Sequence, residues 1–311
     1  MILIYSKDVD DFVNQVIDNL GVNFIRVGSR DTTKISQINI NSEIFFLINN
    51  DFYEIENISE VKTIWFNGGK INTNSSVFET NCYQSLIDSF LSNLEVPKTG
   101  RLYSDFETNK LYAALEAQKQ GFKVPDTLIT DCKEQLKTFY NKYKDKNGII
   151  CKRIIDEHFY QNEDNVYNFN LTFSVDSKII FKIPETFSIS LFQERIKSEF
   201  EIRVVYIKGD FYSMSIHTLD NIVDCRTQIK TLENTRIVPY LLPNKIKRNL
   251  EKVFKNLKFN YGSADLLFLK GEYYFLEINP AGQISFVNEA CNFYIENKFS
   301  KLLKNEAKRS C

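Results

Sequence analysis

The sequence predicts a parallel α/β domain followed by an antiparallel-rich α+β region. Three observations carry that reading. Short apolar runs alternate with helical periodicity over residues 1–97, and apolar runs joined by short turns dominate the second half. Pro97 and Gly100 punctuate the chain between the two.

In the first part, Ile2–Tyr5 reads as a strand and Asp10–Leu20 as an amphipathic helix stopped at Gly21. Asn23–Val27, Ile44–Ile48 and Thr63–Phe66 read as further strands, and Asn81–Leu94 as a helix. Asn67-Gly68-Gly69-Lys70 lacks the G-x-x-x-x-G-K-[ST] spacing of a phosphate loop and predicts a turn. Beyond the break, a helix runs from Asp105 to Gln120, with Gly121 as its stop. Phe122–Ile129 follows as a strand, Lys133–Tyr143 as a helix and Gly148–Arg153 as a strand. Asp164–Val175 and Lys178–Pro184 predict a β-hairpin. Ser190–Arg195, Glu201–Lys208 and Asp210–His217 predict antiparallel strands, turning at Lys208-Gly209-Asp210. Pro243–Leu257 reads as a helix, residues 261–278 as a hairpin, and Asn288–Leu303 as a closing helix.

A chain of 311 residues has room for two or three subdomains. At 43% hydrophobic and 25% charged it has the composition of a soluble globular protein. A net charge of −1 without a long basic run disfavours nucleic acid and membrane surfaces as partners. The opening MILIYSKDVDD lacks the basic and long apolar regions of a signal peptide, and no run approaches the roughly 20 apolar residues that span a bilayer. A cytoplasmic location is expected. Six scattered cysteines without a C-x-x-C pair, and only His158 and His217 beside them, do not make zinc-ligand spacing. Neither histidine sits in a nucleophile-elbow context, which disfavours Ser-His-Asp and Cys-His mechanisms.

The chemistry gathers in islands. On the strand Tyr273–Ile278 and its extension, alternation puts Glu277 and Asn279 on one face. Asp265 opens the preceding strand, across a Lys270-Gly271 turn. Polar groups on otherwise apolar strands need partners. They either cap a turn or bind a hard cation, since Mg²⁺ favours carboxylate oxygens together with substrate phosphates. Lys110 starts a helix, Lys152 ends a strand, Gln193-Glu194 ends another, and Glu201 and Arg203 share a strand face. Each lysine alone reads as a surface charge, and Glu201 with Arg203 as an exposed ion pair worth little. Together they offer two lysines for phosphates, an arginine for a transferring phosphoryl or carboxylate, oxygen ligands for Mg²⁺, and a strand end that can read an adenine edge.

In this order, the islands resemble the ATP-grasp family: Asn109-Lys110, Ile150-Cys151-Lys152, Gln193-Glu194, Glu201-Ile202-Arg203, Asp265 and Glu277-Ile278-Asn279-Pro280. Within it the sequence is similar to the ATP-grasp maturases of graspetides (microviridin-type and grasp-with-spasm). The similarity is carried by SDFETNKLYAALEAQKQGFKVPDTLIT, EIRVVYIKG, Asp224-Cys225-Arg226 and FLEINPAGQISFVNEACNFYI. The resemblance implies an ATP-grasp fold with a Rossmann-like pre-grasp domain over residues 1–97. A central subdomain would follow over 98–188 and a C-terminal subdomain over 189–311. It implies ATP and Mg²⁺ as cofactors, with Lys110 and Lys152 on phosphates and Gln193 and Glu194 at the adenine hinge. Glu201 would join the nucleotide side, and Asp265, Glu277 and Asn279 would bind Mg²⁺. Arg203 would act on the transferred phosphoryl group, and Arg226 on phosphate or an acidic side chain of the peptide.

The implied activity is ATP-dependent macrocyclization of a ribosomal precursor peptide, leader and core, by a homodimer. Side-chain carboxylates become acyl phosphates, and Ser/Thr or Lys closes ω-ester or ω-amide links. Another ATP-grasp carboxylate–amine ligase and a non-catalytic nucleotide-binding module are the alternatives. One departure stands out. Residues 156–165, where a glycine-rich lid is expected, contain no glycine, leaving Asn162 or Asn165 for positive-φ positions.

Overall fold

The computed structural model describes residues 1–7, 9–28, 34–35, 48–49, 54–55, 60–69, 71, 73, 75–101, 110–154, 159–161, 166–168, 172–218, 235–282 and 284–309. The N-terminal sheet is parallel, in the order β2-β1-β6-β7, from β1 (Ile2–Ser6), β2 (Phe24–Val27), β6 (Thr63–Asn67) and β7 (Lys98–Thr99). β1 is buried along its whole length, which is why it reads as an unbroken apolar run. Leu3 and Tyr5 face α2 (Val77–Asn93) through Ile87 and Leu91. Ile2, Ile4 and Trp65 face α1 (Asp11–Asp18) and the C-terminal helix through Phe12, Val16, Phe299 and Leu303.

Asp10 caps α1, its carboxylate accepting from Val13 N at 3.0 Å. α2 begins four residues earlier than periodicity predicts, because Ser76 and Glu79 form a reciprocal capping box. Of the predicted strand Ile44–Ile48, only Ile48 lies among the described residues; it belongs to β4 (Ile48–Asn49) of a small antiparallel sheet with β3 (Lys34–Ile35) and β5 (Glu54–Ile55).

The central region is a four-stranded antiparallel sheet in the order β12-β9-β13-β8. Its strands are β8 (Thr127–Cys132), β9 (Ile149–Lys152), β12 (Phe173–Val175) and β13 (Thr186–Glu194). A separate hairpin joins β10 (Phe159–Gln161) to β11 (Val166–Asn168). α4 (Lys133–Tyr143) covers the sheet through Leu136 and Tyr143, with Ile149, Val175 and Phe192 beneath. The predicted strand Lys178–Pro184 is instead a helix, α5 (Ser177–Lys182). Asp176 caps it by accepting from Ile179 N at 2.9 Å, and Ile180 buries against the same cluster.

The C-terminal sheet runs β16-β15-β14-β17-β18, all antiparallel. It comprises β14 (Phe200–Ile207), β15 (Asp210–Thr218), β16 (Thr235–Pro239), β17 (Tyr261–Leu269) and β18 (Glu272–Asn279). Lys208 and Gly209 both take positive φ (46° and 107°), as a tight hairpin between twisted strands requires. One face of the sheet packs Ile202, Val204, Tyr206, Ala264, Leu266 and Phe275 against α3 (Lys110–Lys119) and α6 (Asn244–Asn256). The other packs Val205, Ile207, Met214 and Tyr261 against α7 (Ile284–Cys291) and α8 (Ile295–Arg309).

The single closing helix predicted over Asn288–Leu303 is therefore two. Asn292 and Tyr294 take positive φ at the break. Asn288 bridges it, accepting from Ile295 N at 2.8 Å and donating to Glu296 at 2.7 Å. Of the helix predicted from Asp105, the start lies outside the described residues; Gly121 stops it at φ 88° as expected.

Glu116 of α3 is buried where α3 crosses α6, and it accepts from Asn256 Nδ2 (2.7 Å) and Gln120 Nε2 (2.9 Å). Those hydrogen bonds, from Asn256 first, hold its carboxyl below the usual range. The stabilisation is present above the ordinary carboxylate pKa of about 4.3 and is lost as pH falls through the lowered folded value. Glu116→Ala removes the charged acceptor shared by Asn256 and Gln120 and should cost roughly 1.5–3 kcal/mol, read by urea denaturation at neutral pH. The deficit should shrink in acid.

Candidate active site

Register builds the site. In the C-terminal sheet Arg203 of β14 pairs with Asp265 of β17, which pairs with Glu277 of β18, so three charged residues form a row across three strands. Cross-strand partners project to the same face. Arg203 donates to Asp265 through Nε and Nη2, each at 2.7 Å, a two-point charge-assisted contact. Asn279 Nδ2 donates to Asp265 Oδ2 at 3.3 Å. Glu201 lies two residues before Arg203 on the same strand face.

A β-bulge between Asp265 and Leu266 makes the row possible. Asp265 pairs with Glu277 while Leu266 pairs with Phe275, leaving Leu276 as the extra residue. Phe275 and Ile278 both enter the apolar core, and Glu277 and Asn279 stay on the polar face.

The lysines arrive from other elements. Lys110, at the first turn of α3, brings Nζ to 3.6 Å from Glu277 Oε2. Lys152 ends β9. Burial lowers its pKa; the carboxylate of Glu277 opposes that, Lys110 reinforces it, and Glu201 and Asp265 oppose it. The same interactions place Lys152 within electrostatic reach of Glu277, Lys110, Glu201 and Asp265. Six of the predicted residues thus meet around one point: Lys110, Lys152, Glu201, Arg203, Asp265 and Glu277. Asn279 makes a seventh.

Gln193 and Glu194 end β13, and their polar groups are already engaged. Gln193 Nε2 donates to Thr127 Oγ1 at 3.0 Å. Glu194 exchanges bonds with Asp126, its N–H donating to the Asp126 carbonyl and its carboxylate accepting from Asp126 N, both at 2.9 Å. Asp126 in turn accepts from Lys142 (2.6 Å) and Tyr143 (2.5 Å), which lower its pKa. That brace was missed by the sequence reading, because its members lie up to 68 residues apart. Arg226, Asn162 and Asn165 lie outside the described residues.

The donor set fits Mg²⁺ with a polyphosphate. Two carboxylates and a carboxamide oxygen sit on adjoining strand positions, flanked by cations suited to phosphate oxygens. Among the described residues no three His, Cys, Asp or Glu side chains form a cage of their own.

No protein-family model and no curated protein matches the sequence. Solved structures do. The macrocyclase MdnC of Microcystis aeruginosa MRC, bound with the precursor peptide MdnA, superposes with a TM-score of 0.78 at 19% identity, over 98% of this chain and 100% of that one. A RiPP-associated ATP-grasp ligase of Chryseobacterium gregarium, in complex with ADP and a leader and core peptide, matches at TM-score 0.74 and 20% identity, over 100% and 97%. The chain has the ATP-grasp fold. D-alanyl-alanine synthetase A of Vibrio cholerae matches more loosely, at TM-score 0.57 and 14% identity over 99% and 97% of the two chains. The candidate site brings Lys152 of the central sheet toward the charged row of the C-terminal sheet. Among the described residues no helix is long and apolar enough to cross a membrane.

Proposed function

We propose that this chain is a cytoplasmic, ATP-dependent peptide macrocyclase acting on a ribosomal precursor peptide. The observation that carries the reading is the Arg203–Asp265–Glu277 row with Lys110 and Lys152 beside it. The likeness to two peptide-bound ATP-grasp structures over nearly the whole chain supports a peptide substrate. The weaker likeness to an amino-acid ligase supports that alternative less well.

A side-chain carboxylate of the peptide attacks the γ-phosphorus of ATP, releasing ADP and forming an acyl phosphate. A Ser/Thr hydroxyl or Lys amine of the same peptide attacks the acyl carbon, loses its proton and expels inorganic phosphate, closing an ester or amide. Each ring removes one water from the peptide. Lys110 and Lys152 hold phosphate oxygens, and Arg203 neutralises the phosphoryl group in transit. Gln193 and Glu194, braced by Asp126, shape the adenine hinge, and Glu201 tunes Lys152. Arg226 binds phosphate or the acidic side chain of the peptide. Asp265, Glu277 and Asn279 would hold Mg²⁺, which supplies charge neutralisation to the phosphates. Assembly as a homodimer belongs to the same proposal and rests on the family resemblance.

The test is direct. Purified protein with ATP, Mg²⁺ and a short precursor peptide rich in Ser/Thr/Lys and Asp/Glu should give peptide-dependent ADP release. Mass spectrometry should find a product lighter by one water per ring. A peptide heavier by an added amino acid would instead identify a carboxylate–amine ligase. The absence of both ADP release and a mass change would overturn the proposal.

A further inference from the structure

Ser263 lies on β17 directly opposite Asn279, two residues before Asp265. Its hydroxyl is 0% exposed and has no hydrogen-bond partner among the described residues. Gly282 closes over it: a Cβ there would stand 3.0 Å from both Ser263 Cβ and Oγ. A buried hydroxyl without a partner is unfavourable, and an alanine would fill that place without the penalty. Packing therefore gives no reason for a serine. The neighbourhood does.

As it stands, Asn279 spends its Nδ2–H on Asp265 Oδ2, an oxygen that already receives Arg203. Cation binding asks two things of these side chains. Asp265 must present its oxygens to the ion, and Asn279 must turn Oδ1 toward it. The Asn279 amide nitrogen then points away from the ion and loses its acceptor. Cross-strand partners share a face, with their Cβ atoms roughly 5 Å apart, so the idle Ser263 oxygen is a buried acceptor beside Asn279 on that wall.

We infer that Ser263 is a positioning residue for Asn279, accepting the Asn279 Nδ2–H when the carboxamide turns its oxygen to the cation. The inference rests on the metal reading of Asp265, Glu277 and Asn279. The unsatisfied hydroxyl is then the acceptor for the turned carboxamide, and Gly282 packs close over it. Backbone at 282 must stay side-chain-free for the same reason.

The experiment compares wild type with Ser263→Ala in three measurements. Mn²⁺ binding in the presence of ADP is followed by the electron paramagnetic resonance of free Mn²⁺. ADP binding without metal is followed by calorimetry, and thermal melting is recorded for the metal-free protein. The inference expects the Mn²⁺ dissociation constant to rise about 2–10-fold, as loss of one neutral hydrogen bond gives. Metal-free ADP affinity should stay unchanged, and the metal-free melting temperature should hold or rise. Equal Mn²⁺ affinity in the two proteins overturns the inference and leaves the metal site standing. A lower metal-free melting temperature in Ser263→Ala overturns it in favour of a structural role. A wild type that binds no Mn²⁺ with ADP overturns the metal reading and this inference together.

Discussion

Glu277→Gln should reduce peptide-dependent ADP release by roughly 100-fold or more, the scale on which a single preorganised charge contact acts in a transition state. The substitution keeps the shape of the side chain and leaves the bulged strand intact, so folding should be preserved. Two electrostatic supports disappear at once. The row loses a carboxylate beside Asp265, and Lys110 loses its partner at 3.6 Å. Glu277 is also the carboxylate that does most to keep Lys152 charged against burial. Steady-state ADP release, paired with a melting curve, checks the result. Activity within about tenfold of wild type would place the cation elsewhere, because one tenfold step corresponds to only about 1.4 kcal/mol of the barrier.

Gly100→Ala should be the most damaging small substitution in the fold, at about 4 kcal/mol or more. Gly100 has φ 84°, and a Cβ there would fall 1.9 Å from the Phe66 carbonyl oxygen, a backbone atom that cannot swing aside. The same residue donates its N–H to Asn260 Oδ1 at 2.9 Å, and Asn260 Nδ2 returns to the Lys98 carbonyl at 2.8 Å. The clash therefore sits at the stitch between the parallel sheet and the C-terminal sheet. Gly148→Ala is the natural control. It too has a positive φ (76°) but open space around it, so it should cost only about 1–2 kcal/mol, the left-handed penalty alone. Urea denaturation of the pair separates the two contributions. Equal midpoints would mean that the Phe66 segment yields.

The legible parts of this chain were those decided locally. Alternation along β18 placed Glu277 and Asn279 on one face, and Gly21, Gly121 and the Lys208-Gly209 turn stopped or reversed the chain where expected. The order of polar islands was enough to collect Lys110, Lys152, Glu201, Arg203, Asp265, Glu277 and Asn279, which the structure brings together. Less visible were features fixed by side chains acting at a distance or by caps. α5 was read as a strand because Ile179, Ile180 and Phe181 look β-prone, whereas the Asp176 cap decides for a helix. The break between α7 and α8 rests on one asparagine, Asn288, reaching across the gap to Ile295 and Glu296. β16, which no local signal announced, is a strand because β15 offers it an edge. The brace from Glu194 through Asp126 to Tyr143 is purely tertiary.

The bulge at Leu276 has a consequence for how this strand can change. Strict alternation would put Phe275 on the same side as Glu277; the extra residue gives the two halves of β18 opposite phases. Tyr273 and Phe275 answer to the core, while Glu277 and Asn279 answer to the chemistry. Leu276 acts as a coupling joint between two independently keyed segments. The core half can be exchanged for other apolar sequences, and the polar half for other ligands, as long as the joint keeps its one residue. A hairpin copied from a protein with an unbulged strand would carry every right side chain and aim half of them the wrong way.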